Sequence, residues 1–286
     1  MAKKPSISII GAGNVGSVLA PALKRAGYRI EEIAVRDNPA SLRRGKIVAR
    51  ASGAKAVTDA QVSFSADVIW ICVTDDAIAP VASALAARRN VDWKGKIIFH
   101  ASGALTSDEL KPLKKRGAVV ASTHFMQSFV PGSNPSLGVP FAVEGDKAAA
   151  QAALRIGKAL GAQPFVIRKQ SKVLYHAMGF FSSPLVIIAL TLSEKVGRSA
   201  GLDPEQIAAV IHPMFSRTAE NYLKKGSAGA FVGPLNRGNV ATVKKHLRDL
   251  RRVPEARAAY VAMGSAALKN LPVKNRTQLE KLLRNG

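Results

Sequence analysis

A chain of 286 residues with 47% hydrophobic side chains is long enough to bury one large core or two smaller ones, which excludes a disordered or fibrous protein. Its single cysteine, Cys72, excludes a disulfide framework and a cysteine-based metal site, and fits the reducing cytoplasm. Forty-two Lys and Arg against 19 Asp and Glu give a net charge of +23, which raises nucleic acid as a partner.

The first element is a strand, Ser6–Ile10, running straight into Gly11-Ala-Gly13-Asn14-Val15-Gly16. It begins so close to Met1 that no cleavable signal is expected before it. Val15, Val18, Leu19, Ala22 and Leu23 then recur at helical spacing, and a second β-rich run, Ile30–Val35, ends in Arg36-Asp37. Strand, glycine turn, helix and strand in this order form a dinucleotide-binding fingerprint. Gly11 makes the tight turn, Gly13 lets backbone N–H groups approach a pyrophosphate, and Gly16 lets helix and strand pack closely. Asn14 and Val15 open the helix, whose free N–H groups and partial positive charge face the phosphates.

The end of the second strand selects the nucleotide. A carboxylate there accepts hydrogen bonds from ribose hydroxyls, whereas an arginine pairs with a 2′-phosphate. Arg36 and Asp37 offer both, and Arg43 and Arg44 follow on the next helix. Three guanidiniums beside one carboxylate favour NADP(H), with NAD(H) as the fallback. Each charge-assisted hydrogen bond to the phosphate contributes roughly 1.5–3 kcal/mol.

The alternation continues with strand Ala66–Val73, helix Ile78–Ala87, strand Lys96–His100, helix Ser107–Lys115 and strand Ala118–Thr123. Strand Phe141–Glu144, helix Lys147–Leu160 and strand Pro164–Ile167 close the series. Near-continuous apolar strands between helices predict an α/β fold: a Rossmann-type, doubly wound, mainly parallel sheet over residues 1–168. Ligands bind beyond the carboxyl ends of such strands. Val73, Thr74, Asp75, His100 and Ser102 lie there as candidate cofactor contacts, and His124 and Gln127 as candidate substrate contacts. Adjacent Asp75 and Asp76 point apart and suit capping of the Ile78 helix better than paired acid–base work.

Past the Arg168–Gln170 connection the pattern is helical only, giving an all-α domain over 171–286. Helices are predicted over Lys172–Ser199, Pro204–Lys224, Val240–Arg251, Pro254–Asn270 and Thr277–Leu283, with Asp203 as an N-cap and His212-Pro213 as an interruption. The most apolar run, Phe180–Leu192, contains Pro184 and is too short to span a bilayer, so no membrane partner is expected. It suits a buried helix or a subunit interface. The basic residues come in scattered pairs such as Lys24-Arg25, Arg88-Arg89 and Lys244-Lys245, mostly near helix ends, and aromatics are only 6%. A single-strand binder interleaves cations with aromatic platforms. Attraction of a polyanionic cofactor or acidic substrate explains the charge without a dedicated nucleic-acid partner.

Hydride transfer requires a proton donor or acceptor near the reacting carbon's heteroatom. His176 suits that role near neutral pH, and Lys172 and Ser183 share its face if the helix runs unbroken. Asn236, Arg237 and Asn239 form a polar loop able to clamp a carboxylate, although Asn239 equally fits the N-cap of the next helix. His246 and Lys245 fit a solvated face.

His124-Phe-Met-Gln-Ser-Phe129, Tyr175-His176 and Gly233-Pro-Leu-Asn-Arg-Gly238 followed by His246-Leu247 carry a resemblance over nearly the whole chain. So do Val73-Thr-Asp-Asp-Ala-Ile78 and His100-Ala-Ser-Gly-Ala-Leu105. They resemble a group of bacterial Rossmann-like proteins whose C-terminal helical half is a domain of unknown function. That group is similar to pyrroline-5-carboxylate reductase, deazaflavin-dependent NADP reductase and the 6-phosphogluconate and β-hydroxyacid dehydrogenases. The resemblance implies an NAD(P)-dependent oxidoreductase with a helical domain that often dimerises, and no particular substrate. Two positions depart from the group: Pro184 stands where an asparagine is usual in the long helix, and Asn239 where an aspartate follows Arg-Gly. If the asparagine positions substrate, chemistry here is altered or absent.

The sequence therefore predicts a cytoplasmic NADP(H)-dependent oxidoreductase acting on a small anionic carbonyl, imine or hydroxy acid in an interdomain cleft, and a homodimer formed through the C-terminal helices. The alternative is an NADP(H)-binding redox sensor without turnover.

Overall fold

The computed structural model describes residues 4–129 and 138–284, and the chain divides into two compact units, Met1–Phe181 and Ser182–Gly286. In the first unit the order is β1 (Ile7–Ile10), α1 (Asn14–Arg25), β2 (Ile30–Val35), α2 (Pro39–Ser52), β3 (Lys55–Thr58), β4 (Val68–Ile71), α3 (Asp75–Ala86) and β5 (Ile97–His100). A 3-10 turn, Ser107–Leu110, leads to α4 (Lys111–Lys114), β6 (Val119–Phe125), β7 (Pro140–Gly145), α5 (Lys147–Ala159), β8 (Gln163–Val166) and α6 (Lys172–Ser182).

The strands form one sheet in the order β3-β2-β1-β4-β5-β6-β7-β8. All neighbours are parallel except β6 and β7. The central strands β1 and β4 are buried along their whole length, which is why they read as unbroken apolar runs. Trp70 of β4 stacks edge-on against Phe99 of β5 at 5.1 Å, in register across the sheet. Chain order reverses between β1 and β4, so the crevice for a ligand lies at the carboxyl ends of these strands.

Helix boundaries follow local chemistry. Asn38 caps α2 by accepting the Ser41 N–H at 2.9 Å, Pro39 starts it, and Gly53 ends it in the left-handed conformation. The second unit contains α7 (Pro184–Ser199), α8 (Pro204–Ala230), α9 (Val240–Asp249), α10 (Pro254–Asn270) and α11 (Arg276–Arg284). Asp203 and Gln206 form a reciprocal capping box at the start of α8. The small core of this unit gathers Val243 and Leu247 of α9, Leu268 of α10, and Leu279 and Leu283 of α11.

Four sequence expectations change. The long helix expected over Lys172–Ser199 is two helices, because Ser183 leaves helical geometry (φ −137°, ψ −74°) and Pro184 opens α7. The compact division falls one helix beyond the Arg168–Gln170 connection, because α6 buries Lys172 within the first unit. Pro213 does not interrupt α8; its backbone departs from the helix at Gly226 instead (φ 67°, ψ −179°). Residues 169–199 as a whole are long and apolar enough to cross a membrane, unlike the shorter Phe180–Leu192 run. The break at Ser183 leaves α6 with 11 residues and α7 with 16, each below the roughly 20 that a span requires.

Candidate active site

The glycine turn joins β1 to α1 at the sheet's switch point. Gly11 has φ +105°, and a Cβ there would stand 2.5 Å from the Cys72 carbonyl oxygen, so only glycine lets β1 turn this close to the chain leaving β4. A Cβ on Gly16 would overlap the Gly11 oxygen, which fixes α1 tightly against the turn. Gly13 differs from both: a Cβ there meets nothing within 4 Å. It is the N-cap of α1, no side chain caps the first-turn N–H groups, and no acidic residue stands among them. Open space in front of uncapped N–H groups is the cradle a pyrophosphate requires. Arg36 and Asp37 are exposed at the end of β2, and Arg43 and Arg44 are exposed on α2.

A second constellation lies along the same edge of the sheet, where β5, β6 and the start of α6 meet. Lys172 is 0% exposed, and its Nζ has no hydrogen-bond partner among the described residues. Burial draws its ammonium down to about 8, and the negative charges of Glu144 and Asp75 oppose that shift. Neither carboxylate hydrogen-bonds it: Glu144 is buried and accepts the Ser107 N–H on one oxygen and the Ser107 hydroxyl, at 2.9 Å, on the other. A Lys169–Asp108 ion pair at 3.0 Å ties the entry of α6 to the turn that carries Ser107.

Two aromatic rings of this lysine's own helix pack against one from β6. His124 of β6 meets Tyr175 edge-on at 5.8 Å and His176 edge-on at 5.6 Å. A Cβ on Gly103 would overlap His176 and lie 2.8 Å from His124 Nε2. Desolvation, then the charges of Lys172 and His176, lower His124 to about 4, so its ring is neutral at physiological pH. Burial raises the Tyr175 phenol to about 12. His124 Nδ1, Gln127 Nε2, Lys172 Nζ and Tyr175 OH are all buried without a hydrogen-bond partner among the described residues. Buried polar groups are nearly always satisfied, so the three orphans that His124, Tyr175 and Lys172 bring to one neighbourhood mark a place for a polar ligand.

The other nominated residues divide. His100 is fully buried with both nitrogens engaged, Nε2 with the Thr106 carbonyl at 2.9 Å and Nδ1 with the Ser102 N–H at 3.2 Å. Its ring, held neutral with its titration lowered to about 4 mainly by burial, shapes the loop and has no free polar atom for a cofactor. Ser102 likewise accepts the N–H groups of Ala104 and Leu105. Thr74 is the N-cap of α3 without a side-chain cap bond; Asp75 and Asp76 occupy its first turn and do not cap it, while Val73 is partly exposed before them. There the two carboxylates suit the helix dipole. Ser183, expected on the face of Lys172 and His176, loses that alignment at the helix break.

In the second unit Asn239 caps α9 through the Thr242 N–H at 3.1 Å, and Asn236 donates to the Pro272 carbonyl at 2.9 Å, so both side chains brace their own loop. Arg237 between them is exposed. Pro184, one of the two departures, is the first residue of α7. Sequence reasoning missed Gly103, Glu144 and Tyr175 as site residues. The available signals were a glycine one residue after Ser102, an acidic residue ending an apolar strand, and a tyrosine beside His176.

Comparison with known proteins agrees with this architecture. Residues 2–125 match the model of a Rossmann-like domain, and residues 139–267 match a domain of unknown function, DUF2520. The chain therefore pairs a Rossmann-like domain with a DUF2520 domain. None of the curated proteins matches the sequence. Among solved structures, a proposed NADP oxidoreductase from Bacteroides fragilis is 20% identical, with 92% of this chain and 97% of that one covered and a TM-score of 0.74. An imine reductase from Myxococcus stipitatus in complex with NADP+ is 16% identical over 98% and 100% of the two chains, with a TM-score of 0.69. A pyrroline-5-carboxylate reductase from Coxiella burnetii is 15% identical over 98% and 99%, at 0.56. At these identities the likeness is one of fold.

Proposed function

We propose that the protein is a cytoplasmic NADP(H)-dependent oxidoreductase acting on a small anionic carbonyl, imine or hydroxy-acid substrate. One observation carries the reading. The uncapped, open glycine turn and the four unpartnered buried polar atoms lie beyond the carboxyl ends of parallel strands of one sheet, which is where such folds place a dinucleotide and its substrate. The solved neighbours named for NADP support the cofactor choice.

Gly11, Gly13, Asn14, Val15 and Gly16 would hold the pyrophosphate, Arg36 with Arg43 and Arg44 the 2′-phosphate, and Val73 to Asp75 the nucleoside side of the crevice. The bound nicotinamide supplies or accepts hydride. The protein supplies the proton: Lys172 holds one at Nζ at neutral pH, neutral His124 stands near it, and exposed His176 meets the His124 ring. Tyr175 and Gln127 orient the substrate by hydrogen bonding. The helical unit is read as a dimerisation surface, because Val210, Met214, Phe215 and Leu223 of α8 stand exposed.

The test is a calorimetric titration with NADPH and NADH side by side at physiological salt. A preference for NADPH of at least tenfold, lost in Arg36→Ala, is expected; binding of neither nucleotide overturns the reading. Sedimentation of the full chain checks the dimer.

A further inference from the structure

We propose that Glu144 is a positioning residue for the site around Lys172: its buried carboxylate fixes the loop after β5 and directs a negative charge at the ammonium without bonding to it. This rests on the oxidoreductase reading above and adds the group that keeps the site's buried cation in place. The observation is a row of three buried polar side chains that crosses three strands.

His100 of β5 pairs with Ser122 of β6, and Ser122 pairs with Glu144 of β7, so the three side chains stand side by side on one face of the sheet. They are 0%, 0% and 2% exposed. All three hold the same loop. His100 Nε2 bonds the Thr106 carbonyl, and the Ser122 hydroxyl donates to the Ser102 and Leu105 carbonyls at 3.3 Å. The Glu144 carboxylate accepts the Ser107 N–H on one oxygen and the Ser107 hydroxyl on the other. Asp108, the next residue, pairs with Lys169 at the entry of α6. The row therefore fixes the loop, and the loop fixes the start of the helix that carries Lys172.

A carboxylate is the costly choice for the third place in this row. Glutamine could accept the Ser107 N–H without burying a charge. Lys172 gives that charge a use. Its ammonium is buried and has no hydrogen-bond partner among the described residues. The charged and titratable groups that face it come from several elements. Asp75 of α3 is exposed, and His100 of β5 and His124 of β6 are neutral at physiological pH. On α6 itself Lys169 is paired with Asp108, Tyr175 keeps its phenol proton, and His176 is exposed against His124.

Water screens an exposed carboxylate, whereas one inside the fold acts through a low dielectric. Glu144 is accordingly the largest influence opposing the desolvation of Lys172, ahead of Asp75. Both of its oxygens are committed to Ser107, so it holds its place and does not close on Nζ as a hydrogen-bonded ion pair. The arrangement separates two needs. The ammonium receives a compensating charge, and its three N–H donors stay free for a bound molecule.

The experiment follows Lys172 in the full chain and requires no substrate. Protein carrying isotopically labelled lysine is titrated by NMR, and the side-chain methylene signal of Lys172 is identified by its loss in Lys172→Arg. Wild type is expected to titrate near 8. Glu144→Gln, which keeps an acceptor for the Ser107 N–H, is expected to move that midpoint down by about one pH unit. Asp75→Asn is expected to move it less than half as far. Glu144→Ala is expected to match Glu144→Gln in midpoint and to exchange backbone amides across residues 101–110 at least tenfold faster. A midpoint indifferent to Glu144→Gln, a larger movement in Asp75→Asn, or loop exchange unchanged in Glu144→Ala overturns the inference. If Glu144→Gln does not fold by circular dichroism, Asp75→Asn decides: a midpoint near that of wild type supports the assignment, and a fall of a full pH unit overturns it. Calorimetry with NADPH on wild type tests the reading beneath separately. Nucleotide binding with an unmoved midpoint removes only the role of Glu144, and the expected midpoints without nucleotide binding remove only the oxidoreductase reading.

Discussion

The imidazole of His176 meets that of His124 edge to face, with ring centroids 5.6 Å apart and 74° between their planes, and Gly103 stands where any side chain would overlap His176. The pair is thus held by three segments far apart in sequence: the loop after β5, the end of β6 and the first turns of α6. Gly103→Ala forces a methyl group into His176. Exposed His176 can swing outward, but the same methyl stands 2.8 Å from Nε2 of the largely buried His124, so the loss of stability is expected within the range of about 1–3 kcal/mol for overpacking. Turnover is expected to fall at least tenfold because the ring leaves its place, while NADPH affinity stays within about twofold. Urea unfolding and steady-state kinetics on one preparation check this. A variant with full activity would remove His176 from the chemistry.

Gly13→Val separates nucleotide binding from folding. Gly13 has ordinary extended geometry (φ −77°), and a Cβ there meets no protein atom within 4 Å, so valine costs the fold only the weaker N-cap, about 1 kcal/mol. The added side chain fills the space before the α1 N-terminus. NADPH affinity is expected to drop more than a hundredfold while the Tm without nucleotide falls by only a few degrees. The neighbouring Gly16→Ala should instead lower Tm, because its methyl overlaps the Gly11 carbonyl. Nucleotide binding that survives Gly13→Val would relocate the phosphate site.

Much of this frame is legible in sequence because it is local. The strand–turn–helix unit from Ile7 to Val35, the Asp203 capping box and the Pro254–Asn270 helix each follow from neighbouring residues alone. What escapes depends on distant partners. β3 is a four-residue strand with mixed burial, so no periodicity announces it, and the antiparallel direction of β7 is set by its pairing with β6. Pro213 reads as a breaker, yet it removes a single backbone donor and α8 continues past it. The site is the strongest case. Lys172 sits in an apolar run that reads as a packing helix, with nothing nearby to show that the lysine is the residue turned inward and Val173, Leu174 and Phe181 outward. Its surroundings come from positions 75, 100, 124 and 144, which only the fold assembles.

Acid should destabilise the protein through its buried histidines. His100 and His124 both titrate near 4 in the fold against an ordinary 6.5, so the unfolded chain takes up their protons first. The stability linked to them is fully present above pH 6.5 and is lost as pH falls toward 4, up to roughly 3 kcal/mol for each. His100→Asn removes one titration. It is expected to cost about 1–3 kcal/mol at pH 7, because the Thr106 carbonyl and Ser102 N–H lose their partner. The gap to wild type is expected to close as pH approaches 4. Urea unfolding across that range checks the convergence; parallel curves would mean that His100 titrates normally.

Lys172 should be a residue that function retains against stability. Its ammonium is buried without a hydrogen-bonded counter-charge, and methionine has similar volume with no charge to desolvate. Lys172→Met is therefore expected to raise stability at pH 7 by about 1–4 kcal/mol while abolishing turnover. The sign of the pH dependence follows from the shift. The folded lysine titrates near 8 and the unfolded one near 10.5, so the cost of burying the charge is fully present below pH 8. Between pH 8 and 10.5 the fold sheds that proton while the unfolded chain keeps it, and wild type gains up to roughly 3 kcal/mol relative to the variant. The advantage of Lys172→Met should accordingly shrink across this window, a difference that cancels the titration of every other lysine and tyrosine. Paired unfolding curves from pH 7 to 10.5 measure it. A variant less stable than wild type at pH 7 would show that Lys172 is a satisfied structural residue, and would transfer the proton-donor role to His176.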